Sequence, residues 1–209
     1  MEANRMNLKF GIEFVPATSI DGLVSSTVQA ENVGFDHVWI TDHYANRCVY
    51  VALTLASLNT KRVKLGTGVT NPFHIHPAWT ASTIATLNEV SNGRAVLGLG
   101  PGDRSTLSQL GLKMDKPLTA VKEAVEIIRK LWSGDKVNFS GDVFQLFNAR
   151  LGFKPSSPIP IYVGAQGPKM LELAGAIGDG VLINASHPKD FEVAVRYIQE
   201  GVQKANRGS

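Results

Sequence analysis

One glutamate lies inside an otherwise apolar run near the start of the chain. Glu13 is the single charged residue of the string FGIEFV at residues 10–15. A carboxylate in such a strand is costly to bury without a partner, and burial raises its pKa. Glu13 is therefore a candidate proton donor or acceptor. The alternative is a strand-end carboxylate whose hydrogen bonds come from a neighbouring N–H group or an arginine.

Polar residues also follow the next apolar run. Asp42 and His43 come shortly after the string HVWI at residues 37–40. They are suited to hydrogen-bonding a heterocycle or substrate, while Asp42 is equally suited to capping a helix. His74 and His76 are two residues apart, but no carboxylate or thiol accompanies them locally, so we predict no metal site.

Three glycine-rich segments follow later apolar runs: GTGVTNP at 66–72, GLGPGD at 98–103 and GAQGP at 164–168. Glycine has no Cβ, so the backbone can approach a flat ligand closely. The N–H groups of a strand-to-helix turn can also hold an anion such as phosphate. The segment 98–103 does not match the GxGxxG dinucleotide pattern. Taken singly, each segment is equally explained as a tight turn that serves packing alone.

Six apolar runs alternate with helical stretches and must position these residues. The strands are predicted at residues 8–15, 37–40, 62–69, 94–99, 159–163 and 180–183. The helices are predicted at residues 21–32, 49–57, 77–90, 117–132, 168–177 and 188–204. This alternation is typical of an α/β fold with a parallel sheet and crossover helices. The segment 133–158 interrupts it and is predicted to be a hairpin-like insertion, with strands near 137–139 and 143–146.

Parallel α/β folds bind ligands at the carboxyl ends of their strands. All six predicted strands end in polar, acidic or glycine-rich residues, and the sixth ends in Asn184, Ala185 and Ser186. We therefore expect these residues to form one rim around a binding site.

Composition excludes several classes of protein. The 209 residues carry a net charge of +3, and 44% are hydrophobic, which predicts one domain over residues 1–209 with a sizeable core. No run of lysine or arginine indicates a nucleic-acid partner, and no apolar stretch is long enough to predict a membrane span. Cys48 is the single cysteine, so no internal disulfide is predicted. The first fifteen residues lack an apolar signal-peptide core, and we predict a cytoplasmic protein.

Eight strings make the chain resemble the bacterial-luciferase-like superfamily. Within it, the chain resembles the coenzyme F420-dependent methylenetetrahydromethanopterin reductases of methane-metabolising archaea. The strings are FGIEFVP at 10–16, WITDHY at 39–44, KLGTGVTNP at 64–72, TASTIATL at 80–87, SNGRA at 91–95, GLGPGD at 98–103, IYVGAQGP at 161–168 and DGVLINAS at 179–186. They are collinear and extend over nearly the whole chain.

The resemblance implies a TIM-like α/β barrel that binds coenzyme F420, an 8-hydroxy-5-deazaflavin, and no metal. A hydride would pass from C5 of the reduced deazaflavin to the methylene carbon of a pterin substrate, methylene-tetrahydromethanopterin, in one-carbon metabolism. The resemblance also implies that Glu13 is catalytic and that the Gly68–Val69 peptide is cis. The cofactor-binding residues that it implies are Asp42, His43, Gly68, Val69, Asn71, Gly100, Asp103, Ala165, Gln166, Gly167, Asn184, Ala185 and Ser186.

Other functions stay open at this point. An F420-dependent oxidoreductase acting on another substrate, such as a secondary alcohol, would share the same strings. A shortened relative that binds the cofactor without turnover, or has a purely structural role, is a third hypothesis. A flavin mononucleotide-dependent monooxygenase is disfavoured because the reductase-type strings are so continuous.

The number of βα units differs from that of a complete barrel. A TIM barrel has eight strands and typically about 250 residues, whereas about six units are predicted here. We therefore expect either a fragment without its C-terminal part or a naturally shortened relative. An open sheet exposes two edges and an apolar face, and this predicts a homo-oligomer.

Overall fold

The computed structural model describes residues 8–184 and 187–208, so Ala185 and Ser186 of the predicted site lie outside the described residues. Its strands are β1 (Gly11–Phe14), β2 (His37–Ile40), β3 (Lys64–Thr67), β4 (Ala95–Leu99), β5 (Val137–Ser140), β6 (Gln145–Ala149), β7 (Ile161–Gly164) and β8 (Gly180–Leu182). Its helices are α1 (Ile20–Asn32), α2 (Val49–Asn59), α3 (Pro77–Val90), α4 (Arg104–Gln109), α5 (Pro117–Trp132), α6 (Pro168–Ile177) and α7 (Pro188–Lys204).

Six strands form one sheet in the order β1-β2-β3-β4-β7-β8. The paired neighbours run parallel, as the βα alternation predicts. The sheet curls, because Glu13 on β1 and Leu182 on β8 line the same cleft although their strands are the first and last in the order. The predicted α/β architecture of about six βα units is therefore confirmed.

The two faces of the curled sheet are filled differently. Its outer face packs against the helices through fully buried residues such as Val38, Ile40 and Leu97. Its inner face combines large aromatic side chains with glycines. A Cβ on Gly66 would lie 2.5 Å from the Trp39 ring, so a side chain cannot be accommodated there. This pairing keeps the inner face filled below the carboxyl ends of the strands.

The insertion at residues 133–158 is confirmed as an antiparallel hairpin of β5 and β6. Its second strand lies at Gln145–Ala149 rather than at the predicted 143–146. The reason is Glu123 of α5, a buried carboxylate that accepts the N–H groups of Asp142, Val143 and Phe144. Those N–H groups are therefore not available to a strand ladder.

Several other boundaries also differ from the sequence prediction, such as that of β1, which covers Gly11–Phe14 rather than residues 8–15, and one helix was not predicted. Strand β3 begins at Lys64 rather than at residue 62, because the N–H groups of Arg62 and Val63 donate to the Glu31 carboxylate. The short helix α4 was not predicted, since six residues give no helical periodicity. None of the helices within the described residues is long and apolar enough to cross a membrane.

Candidate active site

A cleft of about 510 Å³ opens at the carboxyl ends of the strands. Its lining comes from β1, β2, β7, β8 and α6 and from the segments that follow β3, β4, β7 and β8. The lining residues are Glu13, Trp39, Gly68, Val69, Pro101, Gly102, Asp103, Gly164, Ala165, Gln166, Gly167, Met170, Leu182, Ile183 and Asn184. The structure therefore brings most of the predicted rim together in one place.

Glu13 extends from β1 into this cleft. Glu13 as a whole is exposed to solvent. Partial burial of its carboxyl group nevertheless raises the pKa of that group above the ordinary value. The carboxylate stands near Gly68, where an added Cβ would lie 3.5 Å from Glu13 Oε1. The carboxyl group is thus accessible and suited to carrying a proton.

The floor of the cleft is formed by the segment that follows β3. The Gly68–Val69 peptide is cis, which confirms the prediction from the family resemblance. The Val69 methyl groups lie against two glycine backbones: an added Cβ would come within 2.9 Å of them at Gly100 and 3.2 Å at Gly164. Glycine is therefore required at the two positions that pack against Val69, Gly100 and Gly164.

The N-terminus of α6 forms one wall. The helix begins at Pro168 after the cap Gly167, as the GAQGP string predicts. Pro168 has no N–H, and the Met170 N–H donates to the Gly167 carbonyl at 3.0 Å. The helix dipole and the remaining N–H groups at this terminus favour an anion. Gln166 Nε2 donates to the Asn184 carbonyl at 3.2 Å, which joins the segments that follow β7 and β8.

Asp103 caps the opposite helix while lining the cleft. Its carboxylate accepts the Thr106 N–H of α4 at 2.6 Å. The hydrogen bonds from Thr106 hold the pKa of Asp103 below its ordinary value. The pKa of Glu13 is therefore raised and that of Asp103 lowered, although both carboxyl groups line the cleft.

Four predicted site residues lie next to the cleft without lining it: Asp42, His43, Asn71 and Gly100. Asp42 does not cap a helix; its carboxylate accepts the Thr70 hydroxyl at 2.7 Å and lies 3.1 Å from His74 Nε2. His43 Nε2 lies 3.0 Å from the Thr106 hydroxyl. Their polar atoms are engaged by the protein itself.

Asn71 and Gly100 lie behind the lining residues, where Asn71 packs against Gly102 and Gly100 packs against Val69. The side-chain Oδ1 atom of Asn71 accepts the backbone N–H groups of Phe73 and His74. Gly100 donates its N–H to Thr70.

Four lining residues lie outside the glycine-rich segments and were not among the predicted site residues: Trp39, Met170, Leu182 and Ile183. Pro101, Gly102 and Gly164 belong to the predicted segments 98–103 and 164–168 but were not named individually as site residues. Trp39 is paired with Glu13 in the β1–β2 register and therefore points to the same face, but this register comes from the structure and not from the sequence. Met170 lies in the first turn of α6, where periodicity predicts only burial.

His74 and His76 contact different groups of the protein. His74 contacts Asp42, while the His76 ring accepts the Ala78 N–H as the cap of α3. Across residues 8–184 and 187–208, no group of three or more His, Cys, Asp or Glu side chains is arranged to hold a metal ion.

Residues 8–209 match the family model described as luciferase-like monooxygenase. The chain belongs to the luciferase-like family. Because the match extends over nearly the whole chain, it also accounts for the curled parallel sheet, and the resemblance inferred from the eight strings is confirmed.

The relatives of this luciferase-like chain include enzymes that use coenzyme F420. The 5,10-methylenetetrahydromethanopterin reductase of Archaeoglobus fulgidus is 58% identical over 200 residues, which are 96% of this chain and 60% of that protein. The structure of the coenzyme F420-dependent tetrahydromethanopterin reductase from Methanopyrus kandleri superposes with a TM-score of 0.91 at 41% identity, over 96% of this chain and 62% of that one. An F420-dependent secondary alcohol dehydrogenase, solved with an F420-acetone adduct, superposes with a TM-score of 0.88 at 30% identity, over 96% of this chain and 66% of that one. The luciferase-like chain thus spans about 60% of the curated reductase.

Proposed function

We propose that this chain carries the active-site face of a coenzyme F420-dependent methylenetetrahydromethanopterin reductase. The proposed reaction transfers a hydride from C5 of the reduced deazaflavin to the methylene carbon of methylene-tetrahydromethanopterin and yields the methyl form. The observation that carries the proposal is one cleft that gathers Glu13 with the glycine-rich ends of β3, β4 and β7. The reductases at 58% and 41% identity support this choice of substrate and cofactor.

The lining residues fit a flat cofactor with an anionic tail. The Val69 methyl groups and the backbone of Gly164 form a level floor without long side chains. At Gly167 an added Cβ would meet nothing within 4 Å, so the wall beside the helix terminus is open. The N–H groups and the dipole of α6 favour a phosphate there. We assign ring binding to the floor and anion binding to Gln166 and Gly167.

The bound deazaflavin supplies the hydride, and the protein holds the two reactants and manages the proton. Alignment of the reacting carbons within one cleft replaces a bimolecular encounter by a positioned reaction, which is worth several kcal/mol of the barrier. The apolar part of the lining, which includes Trp39, Leu182 and Met170, reduces the access of water to the transferring hydride.

Glu13 is the residue that we assign to proton transfer. Opening of the methylene bridge leaves an amine nitrogen that takes up a proton. Of the carboxyl groups in the described part of the chain, Glu13 and Asp103 line the cleft, and Glu13 has the raised pKa and Asp103 the lowered one. An acid that keeps its proton nearer to neutral pH is the better donor, so Glu13 donates while Asp103 stays ionised as a helix cap.

A titration of the purified chain with oxidised coenzyme F420, followed by fluorescence quenching, tests the cofactor. Saturable binding and turnover of methylene-tetrahydromethanopterin with the reduced cofactor are the expected results. A folded chain that binds no F420 would contradict the proposal.

A second candidate is the F420-dependent oxidation of a secondary alcohol. The structural similarity to a secondary alcohol dehydrogenase at 30% identity favours it specifically. Reduction of F420 by an alcohol, without turnover of the pterin, would select this function. Binding of F420 without turnover of either substrate would select a cofactor-binding relative.

We also propose that the chain acts as a homo-oligomer in the cytoplasm. Phe10 and Val15, which flank the edge strand β1, are 62% and 57% exposed, and such apolar edges favour association. The exposed thiol of Cys48 suits a reducing compartment. A monodisperse monomer in light scattering would contradict the assembly.

A further inference from the structure

Four polar side chains lie together behind the floor of the cleft. We call Asp42, Tyr50, Thr70 and His74 the support cluster; none of them lines the cleft. They come from the segments after β2 and β3 and from the first turn of α2. The proposed hydride transfer assigns them no chemical step.

Asp42 is the centre of the support cluster. Its Oδ2 atom accepts the Thr70 hydroxyl at 2.7 Å and lies 3.1 Å from His74 Nε2. The Tyr50 and Thr70 hydroxyl oxygens are 3.1 Å apart. Thr70 is fully buried, and the Asp42 side chain is only 12% exposed. Burial raises the pKa of Tyr50, which therefore stays neutral.

Thr70 connects the support cluster to the floor of the cleft. Its N–H donates to the Gly98 carbonyl at 3.0 Å, and its carbonyl accepts the Gly100 N–H at 2.9 Å. The backbone is thus held against β4 while the hydroxyl is held by Asp42. Val69 precedes it directly, so a displaced Thr70 displaces the methyl groups that form the floor.

The support cluster also reaches one wall of the cleft. The Asn71 side-chain oxygen accepts the backbone N–H of His74 at 3.3 Å, while the His74 imidazole contacts Asp42. The same Asn71 amide lies against Gly102, where an added Cβ would be 2.8 Å away. Gly102 lines the cleft. The floor and this wall therefore depend on one hydrogen-bonded unit.

We propose that Asp42 and Thr70 are positioning residues that set the height of Val69 under the reacting ring and do not touch the cofactor. This inference rests on the proposed function, because the ring is that of the proposed cofactor. Hydride transfer depends on the separation of the reacting carbons far more steeply than binding does. Loss of the Asp42–Thr70 hydrogen bond is therefore expected to reduce kcat with little change in affinity.

The experiment compares Thr70→Val, Asp42→Asn and the double variant. The matched control is Thr27→Val, since Thr27 is also fully buried but its hydroxyl donates to Leu23 within α1. We expect each cluster variant to lower kcat by about 10-fold to 100-fold, with the F420 dissociation constant within about twofold of the wild type. The double variant is expected to be no slower than the slower single variant, because both substitutions act on one hydrogen bond: valine removes its donor and asparagine removes the charge of its acceptor. Thr70→Ser, which keeps the hydroxyl, is expected to restore turnover.

A second measurement separates this inference from the proposed function. The methyl resonances of Val69 in the cofactor-free chain are expected to shift in Thr70→Val and Asp42→Asn and to stay in place in Thr27→Val. Failure of the wild-type chain to bind F420 would remove the proposed function, whereas unshifted Val69 signals in both cluster variants would overturn the positioning role. A loss of F420 affinity in Asp42→Asn that adds to that of Thr70→Val would also overturn it, because Asp42 would then contact the cofactor.

Discussion

The two ends of the parallel sheet use charged side chains in opposite ways. At the amino end, Arg94 is only 8% exposed and makes five hydrogen bonds to acceptors in Ser57, Thr60, Val63 and Ser91. At the carboxyl end, the Glu13 carboxyl stands in an open cleft with its pKa raised by partial burial.

The same contrast holds between the two glutamates. Glu31, near the amino end, accepts the N–H groups of Lys61, Arg62 and Val63, which closes the loop before β3. Saturated polar groups stabilise a fold, while an incompletely solvated carboxyl with room beside it is available for chemistry. The amino end of the sheet therefore serves stability, and the proposed function lies at the carboxyl end, where parallel barrels bind their ligands.

The largest expected effect is that of Glu13→Gln. The amide keeps the shape of the side chain but supplies no proton, so turnover is expected to fall by about 10²–10⁴-fold while F420 affinity is retained. Steady-state kinetics and the fluorescence titration measure the two quantities.

The control is Glu126→Gln, in which the exposed carboxylate paired with Lys130 on α5 is replaced in the same way. Unchanged turnover in Glu13→Gln would remove Glu13 from the mechanism.

At the other end of the sheet, Arg94→Met is expected to act on stability. The substitution keeps much of the buried chain but leaves several backbone carbonyls without a donor, which costs about 3 kcal/mol or more in the free energy of unfolding. Denaturant unfolding measures this loss.

The matched control is Arg129→Met, since the partly exposed Arg129–Asp179 ion pair contributes about 1 kcal/mol or less. Equal losses in the two variants would show that the Arg94 network adds no special stability.

The parallel sheet and the rim of the site follow from periodicity and from the position of polar residues after apolar runs. The direction of individual side chains does not. Asp42 follows β2 with the same parity as Val38 and Ile40, which face the helices, whereas Trp39 faces the cleft. Trp39 and Asp42 therefore point to opposite faces of the sheet: Trp39 lines the cleft, whereas Asp42 bonds Thr70 behind the floor.

The hairpin boundary depends on a contact that local sequence does not contain. Glu123 lies about twenty positions before the N–H groups that it accepts, and these fix where β6 begins. Such a tertiary hydrogen bond overrides the β-propensity of residues 143–146.

The shape of the cleft floor gives a smaller effect. Gly164→Ala places a methyl group 3.2 Å from both Val69 methyl groups and raises the floor. We expect about tenfold weaker F420 binding, equal to about 1.4 kcal/mol. Gly152→Ala is the control, because an added Cβ there meets nothing within 4 Å. Equal affinities in the two variants would show that the floor does not contact the cofactor.

The smallest effect is the opposite pH dependence of the two glutamates. At Glu31, burial alone would raise the pKa, but the N–H donors of Val63, Arg62 and Lys61 and the charge of Arg94 outweigh it, so the pKa is lowered. A carboxyl whose folded pKa is lowered stabilises the protein above its unfolded pKa, and this stabilisation is lost as the pH falls through the folded value. Glu31→Gln is therefore expected to be less stable than the wild type at neutral pH, and the difference shrinks in acid below the ordinary value of 4.5.

Glu13 reverses that sign, because its folded pKa is raised. The folded state holds the Glu13 proton more tightly than the unfolded state, so the wild type loses stability as the pH rises from 4.5 through the folded value. Glu13→Gln imitates the protonated form and is expected to be slightly more stable than the wild type at neutral pH and equal to it in acid. Unfolding curves of the three proteins between acid and neutral pH measure both differences. A Glu13→Gln chain that is less stable than the wild type at neutral pH would mean that the ionised carboxylate is stabilised in the cleft, and the contrast between the two ends of the sheet would fail.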